Sequence, residues 1–336
     1  MEDQQTILAD HDRQFSWHDY NESQTKEKSL FVVLLKDLCM LIEEPNHERG
    51  RKPHQIKDIV YSICLKTYLN TSSRRVHSDL RLAKEQGHVS KALSFNSLLE
   101  NLERAELKEV LRELIEISAI PLKQIEADFA IDATGFSTSR YKTYAEDKWV
   151  HRLSRKTKLY RKCHAVCGVK TNVITSIEVT KGTVHDTTQF EKLSNDTKRN
   201  FKIRNFLGDK GYQSKKNINI IRDLGGTAII PFKKNQTGKC HHKGDNFTYK
   251  KLFNFFHQNQ EAFMHLYHKC SNVESCFSMI KRKFGNNIKC KKEISQDNEI
   301  LAKVLVHNIC VLIQEIFLNK IYINFNSCAK SYVARN

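Results

Sequence analysis

The run IEADFAIDATG, residues 125–135, decides the fold class. Its first nine residues are mostly apolar and indicate a buried strand, and Thr134-Gly135 indicates the turn that ends it. Further runs follow in the order strand, strand, strand, helix and strand, at residues 159–169, 173–180, 206–209, 214–224 and 226–232. Strands that can pair as hairpins, followed by strand, helix and strand, predict an α/β fold with a mixed sheet and flanking helices.

The chain ahead of this run has a different pattern and is predicted to be an all-α N-terminal module, residues 1–118. Apolar residues recur there at helical spacing in three segments, residues 29–43, 54–68 and 95–117. The basic turn Gly50-Arg51-Lys52-Pro53 separates the first two segments, and short helices joined by basic turns are typical of helix-turn-helix DNA binding. We therefore predict a DNA-binding module with Arg51 and Lys52 as contacts. The alternative is a helical cap that only packs on the next domain.

The charge balance predicts a polyanionic partner. Fifty-five Lys and Arg against 38 Asp and Glu give a formal net charge of +17, and nucleic acid is the first choice of partner. The ten cysteines are scattered, and the N-terminus is acidic and polar, unlike a secretory signal. The apolar run at residues 309–318 is too short and too polar to span a bilayer. We expect a cytoplasmic, nucleoid-associated protein with no membrane segment.

Two aspartates follow apolar, strand-like runs. Asp132 lies near the end of ADFAIDATG, and Asp209 lies at the end of NFLGD, again just before a glycine. Carboxyl ends of strands are where α/β folds place their sites, and a carboxylate in an apolar strand costs free energy unless it is paired or bound to a metal. One such aspartate is commonly a turn cap, whereas two indicate a divalent-metal site. Asp128, deeper on the same strand face as Asp132, is the second choice of ligand.

A third acid, Glu274, lies on a predicted helix at residues 268–285. The buried stripe of this helix consists of apolar residues at helical spacing, Val273, Phe277, Ile280 and Phe284. Tyr267, Glu274 and Lys281 are seven residues apart, so they fall nearly in line beside the stripe. The helix would present an acid between a phenol and an ammonium group. The alternative is a boundary glutamate in an ordinary surface row.

The stretches AIDATG, FLGDKGY and VESCFSMIKRKFG resemble the catalytic blocks of insertion-sequence DDE transposases, in the group marked by a Tyr-x2-Arg-x3-Glu-x6-Lys signature. In this sequence the signature falls on Tyr267, Cys270, Glu274 and Lys281, so a cysteine replaces the arginine. The stretch GTVHD, residues 182–186, is also similar to the family. The resemblance covers roughly residues 125–315, and the gap after Asp209 implies that the long β-rich insertion of some relatives is absent.

The resemblance implies an RNase H-like catalytic domain over residues 119–320, followed by a tail at 321–336. It also implies that Asp132, Asp209 and Glu274 are catalytic and bind two Mg²⁺ or Mn²⁺ ions. The enzyme would cut the ends of its element, at terminal inverted repeats, and join them to target DNA. Tyr267 and Lys281 would grip a phosphate beside the cleaved bond, and a homodimer would pair the two element ends.

Two other functions stay open. An RNase H-like nuclease or resolvase would hydrolyse phosphodiesters without strand transfer. A domesticated copy would bind DNA without cutting it, and Cys270 at the signature arginine position leaves that alternative open.

Basic residues flank the predicted site on both sides. Lys233 and Lys234 begin a basic loop before the predicted helix, and Arg282 belongs to a basic run after Glu274 that extends to Lys292. We predict that they contact DNA phosphates; the alternative is a solvated basic surface.

Other signals carry less weight. Cys163-His164-x2-Cys167 and Cys240-His241-His242 do not match a paired structural-zinc spacing. His185-Asp186 could assist the site or simply cap the next turn. The sequence contains no Gly-x4-Gly-Lys-Ser/Thr loop, so we expect no use of ATP.

Overall fold

The protein is represented by a computed structural model that describes residues 16–46, 50, 52–138, 160–234, 236 and 246–334. Its sheet consists of five strands, β1 (Asp128–Ser137), β2 (Tyr160–Gly168), β3 (Ile174–Lys181), β4 (Asn205–Gly208) and β5 (Thr227–Ile229). The strand order is β3-β2-β1-β4-β5. The first three strands pair antiparallel, whereas β4 and β5 run parallel to β1. This confirms the predicted mixed sheet, and its order is that of an RNase H-like fold.

Helices flank the sheet on both sides and precede it in the chain. They are, in order, α1 (Trp17–Cys39), α2 (Ile56–Tyr68), α3 (Val76–Glu85), α4 (Phe95–Asn101), α5 (Leu107–Ala119), α6 (Phe190–Asn200), α7 (Lys215–Asp223), α8 (Asn246–Gln258), α9 (Gln260–His268), α10 (Ser271–Phe284), α11 (Glu293–Leu318) and α12 (Phe325–Val333). The last of these falls within the predicted tail, for which the sequence showed no pattern.

Strand β1 extends beyond its predicted end. Thr134 and Gly135 lie inside the strand, opposite Cys163 and Lys162 of β2, so the prediction that they form a terminating turn was wrong. The physical reason is that β2 continues to supply backbone hydrogen bonds on one side. On the other side, pairing with β4 stops at Ile131. The residue after Ile131 therefore lies where β1 loses one of its two neighbours.

The N-terminal helices differ from the prediction in their boundaries. The first begins earlier, at Trp17, where the Oγ of Ser16 caps it by accepting a hydrogen bond of 3.3 Å from Asp19 N. The predicted helix at residues 95–117 is two helices, α4 and α5. The carbonyl groups of Leu102 and Arg104 between them accept hydrogen bonds from Asn298 of α11, a partner 196 and 194 residues away that local pattern does not reveal.

Helices α1, α2 and α5 pack against α11, and their buried side chains form one hydrophobic core with those of the sheet. Arg112 of α5 also donates to the carbonyl of Ile177 in β3, at 3.3 Å. The helices of the predicted N-terminal module are thus joined to the sheet, as the cap alternative expects. Their DNA-binding role stays a prediction.

Helix α11 is long and apolar enough to cross a membrane by length and composition alone, with a mean hydropathy of 1.8 over its most apolar window. The apolar run at residues 309–318 therefore underestimated the length of the apolar helix, because the helix begins well before this run. However, 83% of that window is buried inside the protein, as expected for the core helix of a globular domain. The prediction of no membrane segment stays a prediction.

Lys303 of α11 holds the loop that follows α10. Its side chain is only 2% exposed, and Nζ donates to the carbonyl groups of Gly285 and Asn287, each at 2.9 Å. Glu299, one turn earlier, accepts hydrogen bonds from Lys289 N at 3.0 and 3.1 Å. Two polar side chains from the core helix therefore fix the C-terminal end of α10.

We expect Lys303→Met to destabilise the protein, because two partly buried carbonyl groups lose their donor, at about 1 kcal/mol each. Burial lowers the pKa of Lys303 to about 8, from 10.5. Between these values the unfolded chain binds the extra proton, so the stability of the wild type rises with pH, whereas that of the variant lacks this increment. Urea unfolding should show a larger deficit at about pH 9.5 than at about pH 7. An equal deficit at both would contradict the lowered pKa.

Candidate active site

Asp132 and Asp209 come together because β1 and β4 are parallel neighbours. Their register pairs Ile131 with Gly208, so the next residues, Asp132 and Asp209, emerge side by side at the carboxyl end of the sheet. Asp209 is exposed, and its Oδ1 accepts a hydrogen bond of 2.8 Å from Gly211 N. That bond fixes the carboxylate in the turn after β4.

Helix α10 carries Glu274 to the same edge. The helix buries the stripe that the sequence predicted, Val273, Phe277, Ile280 and Phe284. Lys281 ties it to β1, since its Nζ donates to Thr134 Oγ1 at 2.6 Å and lies 5.3 Å from the centroid of the Phe136 ring. Thr134 is two residues beyond Asp132 and therefore faces the same side of the strand. The contact positions α10 over the aspartate.

A cavity of about 200 Å³ unites the three acids, with Asp132, Asp209 and Glu274 in its lining together with Tyr267 and Cys270. Burial raises the pKa of Asp132 to about 7, and the negative charges of Asp209 and Glu274 add to the effect. Carboxylates this close repel one another, and a divalent cation among them offsets the repulsion. This all-oxygen donor set of acids therefore fits a hard ion such as Mg²⁺ or Mn²⁺.

The three acids surround the cavity rather than converging on one point. Within the described part of the chain, the one trio whose ligand atoms all lie within 4.8 Å of one another is His18, Asp19 and Glu22 on α1. That trio is a surface cluster, in which Asp19 already binds Lys320 at 3.1 Å. The wider spread of the cavity acids leaves room for more than one ion.

The helix that carries Glu274 is shorter than predicted. The hydrogen bonds from Lys269 N to Leu266 O and from Cys270 N to Tyr267 O span three residues, so the chain tightens and α9 ends before α10 begins. The prediction that one helix aligns Tyr267 with Glu274 and Lys281 was therefore wrong. Tyr267 reaches the acids from the end of the preceding helix instead, and it still lines the cavity.

Cys270 lies in this break, among the acids. Burial, together with the charges of Asp132, Asp209 and Glu274, raises the pKa of its thiol to about 12. The thiol is therefore neutral, and it places no positive charge where the family signature has an arginine.

The predicted DNA contacts have diverse surroundings. Arg282 is exposed beside Lys281, and Lys233 and Lys234 are exposed just after β5, at the sheet edge that carries Asp209. Lys52 is also exposed, whereas Arg51 lies outside the described residues.

Much of the basic run after Glu274 contacts the N-terminal module instead. Lys283 pairs with Glu27 at 2.5 Å, Lys292 pairs with Glu103 at 2.5 Å, and Lys289 donates to Asn70 Oδ1 at 2.9 Å. The clustering of basic residues in the sequence could not distinguish these contacts within the protein from side chains that face DNA.

Asp128 and Asp186 prove to be paired acids. Asp128 is 2% exposed and receives two hydrogen bonds from Arg204, at 2.8 and 2.6 Å, so it has a structural partner. Asp186 pairs with Lys162 at 2.6 Å and lies 3.3 Å from His164 Nδ1. Its charge also contributes to the raised pKa of Asp132, a link that the sequence stretch GTVHD did not specify.

The discounted zinc motifs form no site in the described residues. Cys163 and Cys167 are four residues apart on β2 and so lie on the same face of the strand. His164 faces the other side and contacts Thr180 Oγ1 at 2.8 Å. The second motif, Cys240-His241-His242, lies outside the described residues.

Comparison with known proteins gives the family. A family model described as a transposase DDE domain matches residues 124–309, more than half of the chain and the whole of the sheet. The chain belongs to the DDE transposases. No curated protein and no solved structure matches it. The resemblance in the three catalytic blocks is thus confirmed at the level of the family, which acts on DNA and generally uses divalent metal ions.

We expect Cys270→Arg to strengthen DNA binding by this transposase. The guanidinium would enter the cavity that now holds a neutral thiol, and one more phosphate contact steepens the dependence of log K on log salt by about 0.9 for duplex DNA. The measurement is fluorescence anisotropy of a labelled duplex across a salt series. Cys270→Ser, which keeps the site neutral, is the control; equal slopes for the two variants would contradict the expectation.

Proposed function

We propose that this transposase cleaves the ends of its own mobile element and transfers the freed strands into target DNA. The observation that carries the proposal is the meeting of Asp132, Asp209 and Glu274 in one cavity at the carboxyl end of the sheet. Nuclease and transferase chemistry of this family depends on carboxylates that hold divalent metal, and the geometry supplies them from two strands and one helix.

In this proposal the three acids hold two Mg²⁺ or Mn²⁺ ions. When bound, such ions stabilise the attacking and leaving oxygens of an in-line displacement at phosphorus. Asp209, exposed and held by Gly211 N, would face the DNA, while half-buried Asp132 lies deeper in the cavity. Tyr267 presents its phenol at the cavity wall, where it would hydrogen-bond a phosphate oxygen.

Positive side chains would hold the DNA on either side of these acids. Lys281 and Arg282 lie on α10, and Lys233 and Lys234 lie after the neighbouring parallel strand. Their phosphate contacts would be independent of sequence and sensitive to salt. Residues 1–118, with Arg51 and Lys52, would recognise the terminal inverted repeats.

The proposal extends to partners and place. Pairing two element ends calls for a homodimer on DNA, since each end needs one set of acids. No nucleotide-binding loop occurs in the sequence, so the reaction would proceed without ATP. The net charge of +17 agrees with a cytoplasmic protein associated with the nucleoid.

The test uses duplexes that carry the inverted repeats flanking the gene, end-labelled, with Mg²⁺ or EDTA and a supercoiled target. The proposal expects Mg²⁺-dependent nicks at the repeat ends and labelled strands joined to the target. Hydrolysis without joining would instead support a nuclease or resolvase. Binding without cleavage would support the domesticated alternative, which the neutral thiol of Cys270 keeps open.

A further inference from the structure

Asp186 is an acid near the site that the proposed function leaves unused. It begins a short 3-10 turn, Asp186–Gln189, in the connection between β3 and α6. Its Oδ1 lies 2.6 Å from Lys162 Nζ and 3.3 Å from His164 Nδ1. Both partners belong to β2, the strand that pairs with β1, so Asp186 is tied to the middle of the sheet.

The partners of Asp186 are themselves fixed. Lys162 Nζ also donates to Val184 O at 3.1 Å, so one ammonium group holds the connection at two points. His164 is fully buried, and its Nε2 contacts Thr180 Oγ1 at 2.8 Å. Burial favours the neutral acid, yet the hydrogen bond from His164 and the charge of Lys162 hold the pKa of Asp186 below its ordinary value of 3.8. Asp186 is therefore a carboxylate, and an ion pair fixes the connection.

Phe190 extends this hold to β4. It is the first residue of α6, four residues after Asp186, and it is fully buried. Its ring lies 5.4 Å from that of Phe206 in β4 and 5.8 Å from that of Tyr212, measured between centroids. Because β4 ends at Asp209, the start of α6 packs against the strand that carries this acid.

The turn at Lys210–Tyr212 makes a second contact. It begins immediately after Asp209, and it packs against the turn that Asp186 begins. Tyr212 is 1% exposed, and its hydroxyl has no hydrogen-bond partner among the described residues. Burial and the negative charges of Asp132, Asp186 and Asp209 raise the pKa of this hydroxyl. The hydroxyl therefore lies close to Asp186 and to both aspartates of the site.

We propose that Asp186 is a positioning residue of the acid-lined cavity. Its ion pair with Lys162 holds the start of α6, and the contacts of α6 with β4 and the turn after it hold Asp209 beside Asp132. Asp186 does not line the cavity, so it acts through Asp209 rather than on a metal ion or on DNA. The inference rests on the proposed function, and it adds that the affinity of the site for metal depends on an acid outside the three.

The first test is Mn²⁺ binding to the DNA-free protein, measured by isothermal titration calorimetry. Asp186→Asn and Lys162→Met should each raise the Kd about tenfold, the low end of the effect of residues that orient metal ligands. The double variant should bind no more weakly than either single one, because each substitution alone breaks the pair. Glu191→Gln is the matched control. It breaks an exposed ion pair of α6, with Lys216, and should change the Kd by less than about twofold.

The second test is amide hydrogen exchange without metal, followed in peptides that cover residues 205–213. Gly211 N donates to Asp209 Oδ1, so this exchange reports whether the turn is held. Asp186→Asn and Lys162→Met should speed it at least about fivefold, with peptides of α1 unchanged, whereas Glu191→Gln should match the wild type.

A purely structural role gives a different result. The variants would then melt at a lower temperature but keep wild-type Mn²⁺ affinity and wild-type exchange in residues 205–213, and the inference would be overturned. If the wild type bound no Mn²⁺, the proposed metal site would fail, and exchange alone would decide the inference. Faster exchange in both variants would support it, and unchanged exchange would overturn it.

Discussion

Asp132→Asn is expected to abolish Mg²⁺-dependent cleavage of element ends while the protein stays folded. Asp132 lies beside Asp209 by strand register and lines two cavities with Glu274, so it would be a ligand of the proposed metal site. An amide lacks the charge that binds the ion. Loss of about 4 kcal/mol of transition-state stabilisation corresponds to a rate lower by at least about a thousandfold. The rate of nicking of an end-labelled repeat duplex measures this.

The matched control is Asp223→Asn, at the exposed end of α7, which should cleave at the wild-type rate. Folding is checked by thermal denaturation without metal. The folded pKa of Asp132 is about 7 rather than 3.8, so the wild type loses stability as pH rises through that window. At about pH 8 the variant should therefore melt no lower than the wild type. Cleavage by the variant at the wild-type rate would rule out the metal assignment.

The parts of the site that follow strand ends could be predicted from the sequence. An aspartate after an apolar run has few explanations, and two of them at the ends of parallel strands meet at one edge. Lateral pairing could not be predicted in the same way. Thr134 and Gly135 look like a turn locally, yet they stay in the sheet because β2 continues alongside them.

The contribution of α10 was harder to predict because short-range hydrogen bonds decide it. The periodicity of Val273, Phe277 and Ile280 predicted the buried face correctly. The same periodicity placed the start of the helix too early, because apolar spacing continues through Cys270. In the structure the backbone there changes to hydrogen bonds that span three residues. Tyr267 thus lines the cavity from the end of α9, and the helical periodicity of α10 does not predict that position.

The charged residues show a second limit of sequence reading. Sign and clustering indicate a DNA-binding surface, but they do not show which side chains already have partners. Lys283 and Lys292 lie in the basic run, yet each forms an ion pair with a glutamate much earlier in the chain. Lys283 pairs with Glu27, and Lys292 pairs with Glu103. Conversely, the sequence predicts Asp128 as the second choice of metal ligand, whereas in the structure its carboxylate binds Arg204. Only tertiary contacts separate these cases.

Arg204→Ala is expected to destabilise the fold by about 3 kcal/mol, at the low end of the range for a broken buried pair because Arg204 itself is partly exposed. Its guanidinium donates to both oxygens of Asp128, the first residue of β1, which is 2% exposed. Without it, the carboxylate keeps Asn205 Nδ2 at 2.9 Å and Lys269 at 3.9 Å. Urea unfolding measures the loss. Arg222→Ala, whose pair with Asp223 is exposed, is the control and should change stability by less than about 1 kcal/mol.

The pair matters to the site because Arg204 immediately precedes β4 and Asp128 begins β1. It locks the register that starts at Asp128 and Asn205 and ends with Asp132 beside Asp209. A shift by one residue would turn one aspartate to the other face of the sheet. The double variant Asp128→Ala/Arg204→Ala should therefore recover part of the lost stability, because it removes the unpaired buried charge, but it should not recover cleavage. If the double variant instead lost as much stability as the two single variants together, Asp128 and Arg204 would not act as a pair. The register of β1 would then depend on its pairing with β2 alone.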